Sequence, residues 1–202
     1  MCSPLAATAL AVTLMAGLGT ISAQAAAPVA GSQSATAPIK AGDGKDLGTV
    51  ALTEAPHGVL LRLELKGLTP GWHGVHFHEK GDCGTPDFKS AGAHVHTTAA
   101  VVHGLLNAKG NDNGDLPNIF ATAEGVAMAE LYSPLVSLNG AGGRPAMLDA
   151  DGSSIVVHAS PDDHQSQPIG GAGARVACGV VKQRLSHDNG DGDRAVPGWE
   201  WG

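Results

Sequence analysis

The stretch Val59-Leu60-Leu61-Arg62-Leu63-Glu64-Leu65 constrains the chain more than any other. Apolar residues stand at 59, 61, 63 and 65 and charged ones at 62 and 64, so an extended strand buries one set and wets the other. Leu60 is the residue out of step, on the outer face. No segment sustains a 3.6-residue apolar period over three turns, which a helix with a buried side requires. Further strands are predicted over Thr49–Thr53, His73–His78, Gly125–Leu131, Ser154–His158 and Val176–Val181. Turn formers such as Pro70-Gly71, Asn139-Gly140 and Asp151-Gly152 separate them. With 29 Gly and 12 Pro, 15% charged and 3% aromatic residues, the composition suits short segments joined by turns and argues against a long-helix or coiled-coil protein. The expected fold is all-β, an antiparallel sandwich or barrel in one domain.

The ends read differently. Lys40 is the first charged residue, and before it Leu5 to Leu18 is apolar and Ala23-Gln24-Ala25 gives a small-x-small cleavage pattern. Residues 1–25 are expected to be an export signal, although no Lys or Arg precedes the apolar run. A membrane anchor is the alternative, but the run falls short of the ~18 to 20 apolar residues that span a bilayer. No membrane contact is expected after cleavage. Residues 26–47 read as a small, polar segment leading into a domain at 48–182. Residues 183–202 read as a disordered, acidic, Gly-rich tail whose Trp199 and Trp201 either stay free or dock on the domain or a partner. Cleavage leaves Cys83 and Cys178 as the cysteines of an exported chain, either one disulfide or two buried thiols. A bridge would close a loop of ~95 residues, worth about 4 to 5 kcal/mol in the chain-entropy account. The net charge of −7, without any Lys/Arg cluster, argues against nucleic acid as a partner.

Two long polar stretches, Glu79 to Asn118 and Ala159 to Gly173, are too long to be simple connections, and such loops are usually functional or disordered. His73, His76, His78, His94, His96 and His103 collect in or just before the first. His76 and His78 on one strand point to the same face, where a single metal ion can take a nitrogen from each. Asp112 and Asp115 follow in the same loop and strengthen the metal reading. His73 differs in parity and is left out of the ligand set.

These residues carry a resemblance. Gly67-Leu68-Thr69-Pro70-Gly71-Trp72-His73-Gly74-Val75-His76-Phe77-His78, then Gly81-Asp82-Cys83, Ser90-Ala91-Gly92-Ala93-His94 and Gly114-Asp115-Leu116-Pro117-Asn118, resemble copper,zinc superoxide dismutase of the bacterial exported type. Val156-Val157-His158, Asp162-Asp163 and Gly173-Ala174-Arg175-Val176-Ala177-Cys178-Gly179 extend the likeness, in order, from about Gly48 to Val181. The resemblance implies an eight-stranded Greek-key β-barrel with long metal-binding and electrostatic loops; the family is itself a standard sandwich architecture. It implies a copper ion on His76, His78, His94 and His158, and a zinc ion on His103 and Asp115 with His94 as the shared, catalytic bridge. Asp162 would hydrogen-bond one histidine of each metal. Arg175 would stand beside the copper as a catalytic guide for the superoxide anion, and Cys83 would pair with Cys178. Copper alternating between its +2 and +1 states would convert superoxide to oxygen and hydrogen peroxide, while zinc, without redox chemistry, would hold the bridge and order the loop.

The sequence departs from the family pattern at Asp112, where a histidine two residues before Gly114-Asp115 is usual. A carboxylate can still ligate zinc, which makes His94, His103, Asp112 and Asp115 the expected zinc set; weak or absent zinc is the alternative. His96 stands where asparagine is usual and is expected outside the site. The leading function is an exported, periplasmic superoxide dismutase. A copper-sequestering protein that kept the histidines and lost turnover is the alternative, and Arg175 speaks against it, since storage needs no anion guide. The assembly stays open between monomer and homodimer.

Overall fold

A computed structural model describes residues 33–184. The expected export signal, and all of the expected 183–202 tail beyond residue 184, with Trp199 and Trp201, lie outside the described residues; Gln183 at its start is not disordered but in a strand. The strands run in chain order as β1 (Ser34–Ala41), β2 (Asp46–Ala55), β3 (Gly58–Lys66), β4 (Gly71–His73), β5 (Val75–His78), β6 (Ile119–Ala121), β7 (Val126–Ser133), β8 (Ser154–His158), β9 (Arg175–Val180) and β10 (Lys182–Gln183). The only helical segments among the described residues are single 3-10 turns at Lys89–Ala91 and Ala141–Gly143.

β3 behaves as its alternation dictates. Val59, Leu61, Leu63 and Leu65 are buried, while Leu60, Arg62 and Glu64 face outward, Arg62 pairing with Glu130 of β7 at 2.7 Å. Each such leucine contributes about 1.5 to 3 kcal/mol by leaving water. β2 extends the Thr49–Thr53 prediction at both ends. The predicted strand at His73–His78 is broken at Gly74 into β4 and β5.

The longest strand without a counterpart in the sequence reading is β1. β1 lies within 26–47 yet pairs with β2 on one side and with β9 and β10 on the other. Its inward residues are Ala35, Ala37 and Ile39, and small alanines alternating with Ser34, Thr36 and Pro38 make a weak hydropathy pattern. Pro38 falls between the β10 pairs at Ala35 and Thr36 and the β9 pairs at Lys40 and Ala41, where no ladder bond needs its missing N–H. β6 was also hidden, at the end of the long loop, and pairs with β4 through Trp72 and Phe120.

Antiparallel pairing follows the order β5-β8-β9-β1-β2-β3-β7. β6 enters β7 through a turn in which the Gly125 N–H donates to the Thr122 carbonyl and the Thr122 N–H to that of Val126, both at 2.9 Å. Because β6 also pairs with β4, which continues into β5, the order returns on itself. Taking β4 with β5 and β9 with β10, the ten segments are eight strands. The connections β3 to β4 and β7 to β8 each pass over two strands of this order, the Greek-key crossing.

β5 is where barrel and loop meet. Val75 and Phe77 enter the core, and His76 and His78 take the opposite face. The long loop lies along the edge of β5 away from β8: the Phe77 N–H donates to Gly114, and the N–H groups of Val95 and Glu79 donate to Phe77 and Ala93, all at 2.9 Å. Gly114 must be glycine, since a Cβ there would sit 2.5 Å from the Phe77 oxygen. Farther along, the Cys83–Cys178 disulfide ties the loop to β9, with Phe88, Ala91 and Val156 packed around it. This resolves the cysteine alternatives in favour of the bridge.

Candidate metal centre

His76 and His78 reach the site from β5 and His158 from the end of β8, which pairs with β5. His94 comes from the loop, bridged to His78 along the edge of the strand. One ligand nitrogen from each of these four buried rings lies within 4.8 Å of the others. His76 Nδ1 and the Nε2 atoms of His78, His94 and His158 are buried without any hydrogen-bond partner. Each such orphan ordinarily costs about 1 to 3 kcal/mol, and four converging orphans are what a metal ion relieves. The opposite nitrogen of every ring is engaged: His76 Nε2 with Asp162 Oδ2 at 2.8 Å, His78 Nδ1 with the Gly92 carbonyl at 3.0 Å, His158 Nδ1 with the Gly173 carbonyl at 3.1 Å, and His94 Nδ1 with Asp112 Oδ2 at 2.7 Å. Those contacts set the ring orientations.

Electrostatics agrees. Burial, then repulsion from neighbouring cationic groups, lowers the pKa of His78 to about 2, of His158 to about 4 and, against the pull of Asp162, of His76 to about 3. At neutral pH these rings are uncharged and their lone pairs are free to bind a metal.

A second cluster shares a wall with the first. His103 Nδ1 lies 2.6 Å from Asp115 Oδ1 and 3.4 Å from Asp112 Oδ2. Asp115 Oδ1 is out of line for a hydrogen bond, the geometry of two donors aimed at a common point. Asp115 Oδ2 and Asp112 Oδ1 are pinned by the Gly104 and Gly114 N–H groups at 2.7 and 2.9 Å. Ligand atoms of His76, His94, His103 and Asp115 converge here within 4.8 Å, His76 having its Nε2 committed to Asp162. Burial disfavours a charged His103, but its contacts with Asp112, Asp115 and Asp162 outweigh that and raise its pKa to about 11. Asp112 and Asp162 are held well below the usual carboxylate range although burial pushes the other way: His103 and His94 stabilise the anion of Asp112, and His103 and His76 that of Asp162. Two imidazoles among carboxylates suit a divalent cation such as zinc. Asp162 joins the clusters, one oxygen on His76 Nε2 and the other on His103 Nε2 at 3.0 Å.

The profile of the family described as "Copper/zinc superoxide dismutase (SODC)" matches residues 47–181. The chain belongs to the copper/zinc superoxide dismutase family. A copper-zinc superoxide dismutase of Caulobacter vibrioides is 82% identical over 149 residues, covering 74% of this chain and 86% of the relative. A solved superoxide dismutase-like protein from Bacillus subtilis aligns with TM-score 0.67 at 33% identity, over 73% of this chain and 97% of its own. The copper/zinc superoxide dismutase of Brucella abortus aligns with TM-score 0.59 at 32% identity, over 74% and 99%.

Against this dismutase frame the remaining residues fall into place. Arg175, the first residue of β9, pairs with His158, and its Nη1 and Nη2 donate to the carbonyls of Phe88 and Gly92, both at 2.7 Å. Gly92 therefore holds both the guanidinium and the His78 ring. His73 serves the backbone, its nitrogens 2.6 Å from the His158 carbonyl and 2.7 Å from that of Thr69. His96 turns Nδ1 to the His94 carbonyl at 2.7 Å, outside both converging groups.

Sequence reasoning missed the carbonyls of Gly92 and Gly173, which any residue type could supply. It also missed Asn118, whose Oδ1 accepts from the Asp162 N–H at 2.9 Å, and His164, whose N–H donates to Asp162 Oδ1 at 2.6 Å. Gly170 is missed too: a Cβ there would meet the Asp162 carboxylate at 1.6 Å. The only cue for these was the block Gly114–Asn118, whose last residue received no role.

Proposed function

We propose that this family member is an exported, periplasmic superoxide dismutase. His76, His78, His94 and His158 hold its copper, and His94, His103, Asp112 and Asp115 its zinc. The supporting observation is the convergence of four buried, unpartnered ring nitrogens, each ring aimed by a bond from its other nitrogen. Copper held there would supply the one-electron redox chemistry that superoxide dismutation needs. His94 is the proton carrier of the reading: its Nε2 faces the cluster and holds and returns a proton. Asp162 orients His76 and His103 together. Arg175 offers superoxide a local positive charge on a chain whose net charge of −7 opposes an anion.

The Cys83–Cys178 bridge supports an oxidising compartment. No helix among the described residues is long and apolar enough to cross a membrane. The tethered Arg175 weighs against the copper-storage reading, which gives it no task.

The test is superoxide consumption by the copper-loaded chain, with and without zinc, beside His158→Ala. Loss of turnover to the level of free copper in the variant is expected. Unchanged turnover would overturn the copper assignment.

A further inference from the structure

Three of the four copper-type imidazoles are aimed by groups that are not zinc ligands in the proposed site: His76 by Asp162, His78 by the Gly92 carbonyl and His158 by the Gly173 carbonyl. The fourth is His94, the ring shared with the zinc set. Its Nδ1 is 2.7 Å from Asp112 Oδ2 and 3.8 Å from Asp115 Oδ1, so Asp112 is the carboxylate that addresses it. The Asp112 contact has hydrogen-bond geometry, and the same oxygen lies farther, at 3.4 Å, from His103 Nδ1, so His94 is its nearer partner.

Asp112 is well placed for this. Its side chain is 1% exposed, and its other oxygen accepts from the Gly114 N–H at 2.9 Å. Gly114 is itself locked against β5, since a Cβ would meet both the Phe77 oxygen and the His94 side chain. The His94 backbone is fixed separately by its bridge to His78. Ring rotation is the freedom left to His94, and the Asp112 bond removes it.

We infer that Asp112 is a positioning residue for His94: by holding Nδ1 it directs Nε2 at the copper cluster, so the copper geometry stands without zinc. The substitution that alters the zinc set thereby gives the fourth copper ligand an acceptor of the same kind as the other three. This inference rests on the copper reading of the four imidazoles.

Copper titration of the zinc-free chain, read by chelator competition and by electron paramagnetic resonance, is compared with the zinc-loaded chain. The expected outcome is a matching nitrogen hyperfine pattern and a copper affinity changed by less than about threefold, against the roughly 10- to 100-fold cost of losing an outer-shell partner. Asp112→Ala should show that roughly 10- to 100-fold loss in the zinc-free state. Asp112→Asn keeps an oxygen acceptor while being a poor zinc ligand, so it should restore most of the copper affinity. It also decides the matter should Asp112→Ala not fold. Zinc removal that weakens wild-type copper binding as much as the alanine variant does, with imidazole hyperfine intact, would overturn the role of Asp112 alone. Copper binding indifferent to His158→Ala would overturn the copper assignment and this role together.

Discussion

The two clusters share His94 and lie in one buried region, yet they handle charge in opposite ways. Around His76, His78 and His158, burial keeps the imidazoles neutral, with pKa values of about 2 to 4. A few ångströms away, Asp112, Asp115 and Asp162 surround His103 and raise its pKa to about 11. The first arrangement offers uncharged nitrogen donors, which suit copper in both oxidation states. The second offers negative charge, which a divalent ion without redox chemistry balances. Neutral rings need only aiming, and backbone carbonyls aim two of the three. Carboxylates need pinning against one another, and amide donors at Gly104 and Gly114 supply it. The contrast comes from second contacts and not from ligand count.

Removing a ligand that belongs to one side should separate the pockets most. His103→Ala takes a donor from the carboxylate-rich side alone. Its zinc affinity should fall by about 100-fold or more, one ligand's share of a binding free energy of roughly 10 to 16 kcal/mol. Copper affinity, measured in parallel by competition, should stay within a few-fold. Equal losses of both metals would show that the pockets are not independent.

Asp162→Ala attacks the joint. Because its two oxygens serve His76 and His103 separately, both metals should be held more weakly, by about 10- to 100-fold each. Isothermal titration with each metal alone would show it. A loss confined to copper would mean that Asp112 and Asp115 suffice to hold His103.

How much of this could be read in advance depended on what each residue leaves in a sequence. The β3 alternation and the His76-x-His78 pair are local and survive without coordinates. β1 does not, because Ala35 and Ala37 bury a face with little hydropathy contrast and Pro38 interrupts it. The residues that converge in the two clusters were legible because histidine and aspartate announce metal chemistry. The groups that aim the ligands were not: the Gly92 and Gly173 carbonyls belong to the backbone, and Asn118 contributes through a contact 44 residues away in the chain. Asp112 was legible as a departure from the family pattern, but its bond to His94 required the fold. Loop anchoring shows the same division: the cysteines were visible as a pair, the carbonyls that hold Arg175 were not.

Arg175 tests the contrast most gently, because in the proposed function it guides an anion to the neutral side and is itself a ligand in neither set. Half-buried and doubly bonded to the carbonyls of Phe88 and Gly92, it is a fixed positive charge on a chain of net −7. Arg175→Ala should lower the rate by roughly tenfold at low salt, the lower end of what local steering supplies. At high ionic strength, where the screening length falls to about 3 Å at 1 M, the wild type should lose most of its advantage. The variant's rate should then change little with salt, while copper and zinc contents stay equal to wild type. Arg175→Lys keeps the charge but cannot span both carbonyls, so an intermediate rate with the salt dependence retained would assign the effect to charge, and a rate as low as that of alanine would assign it to the fixed geometry of the guanidinium.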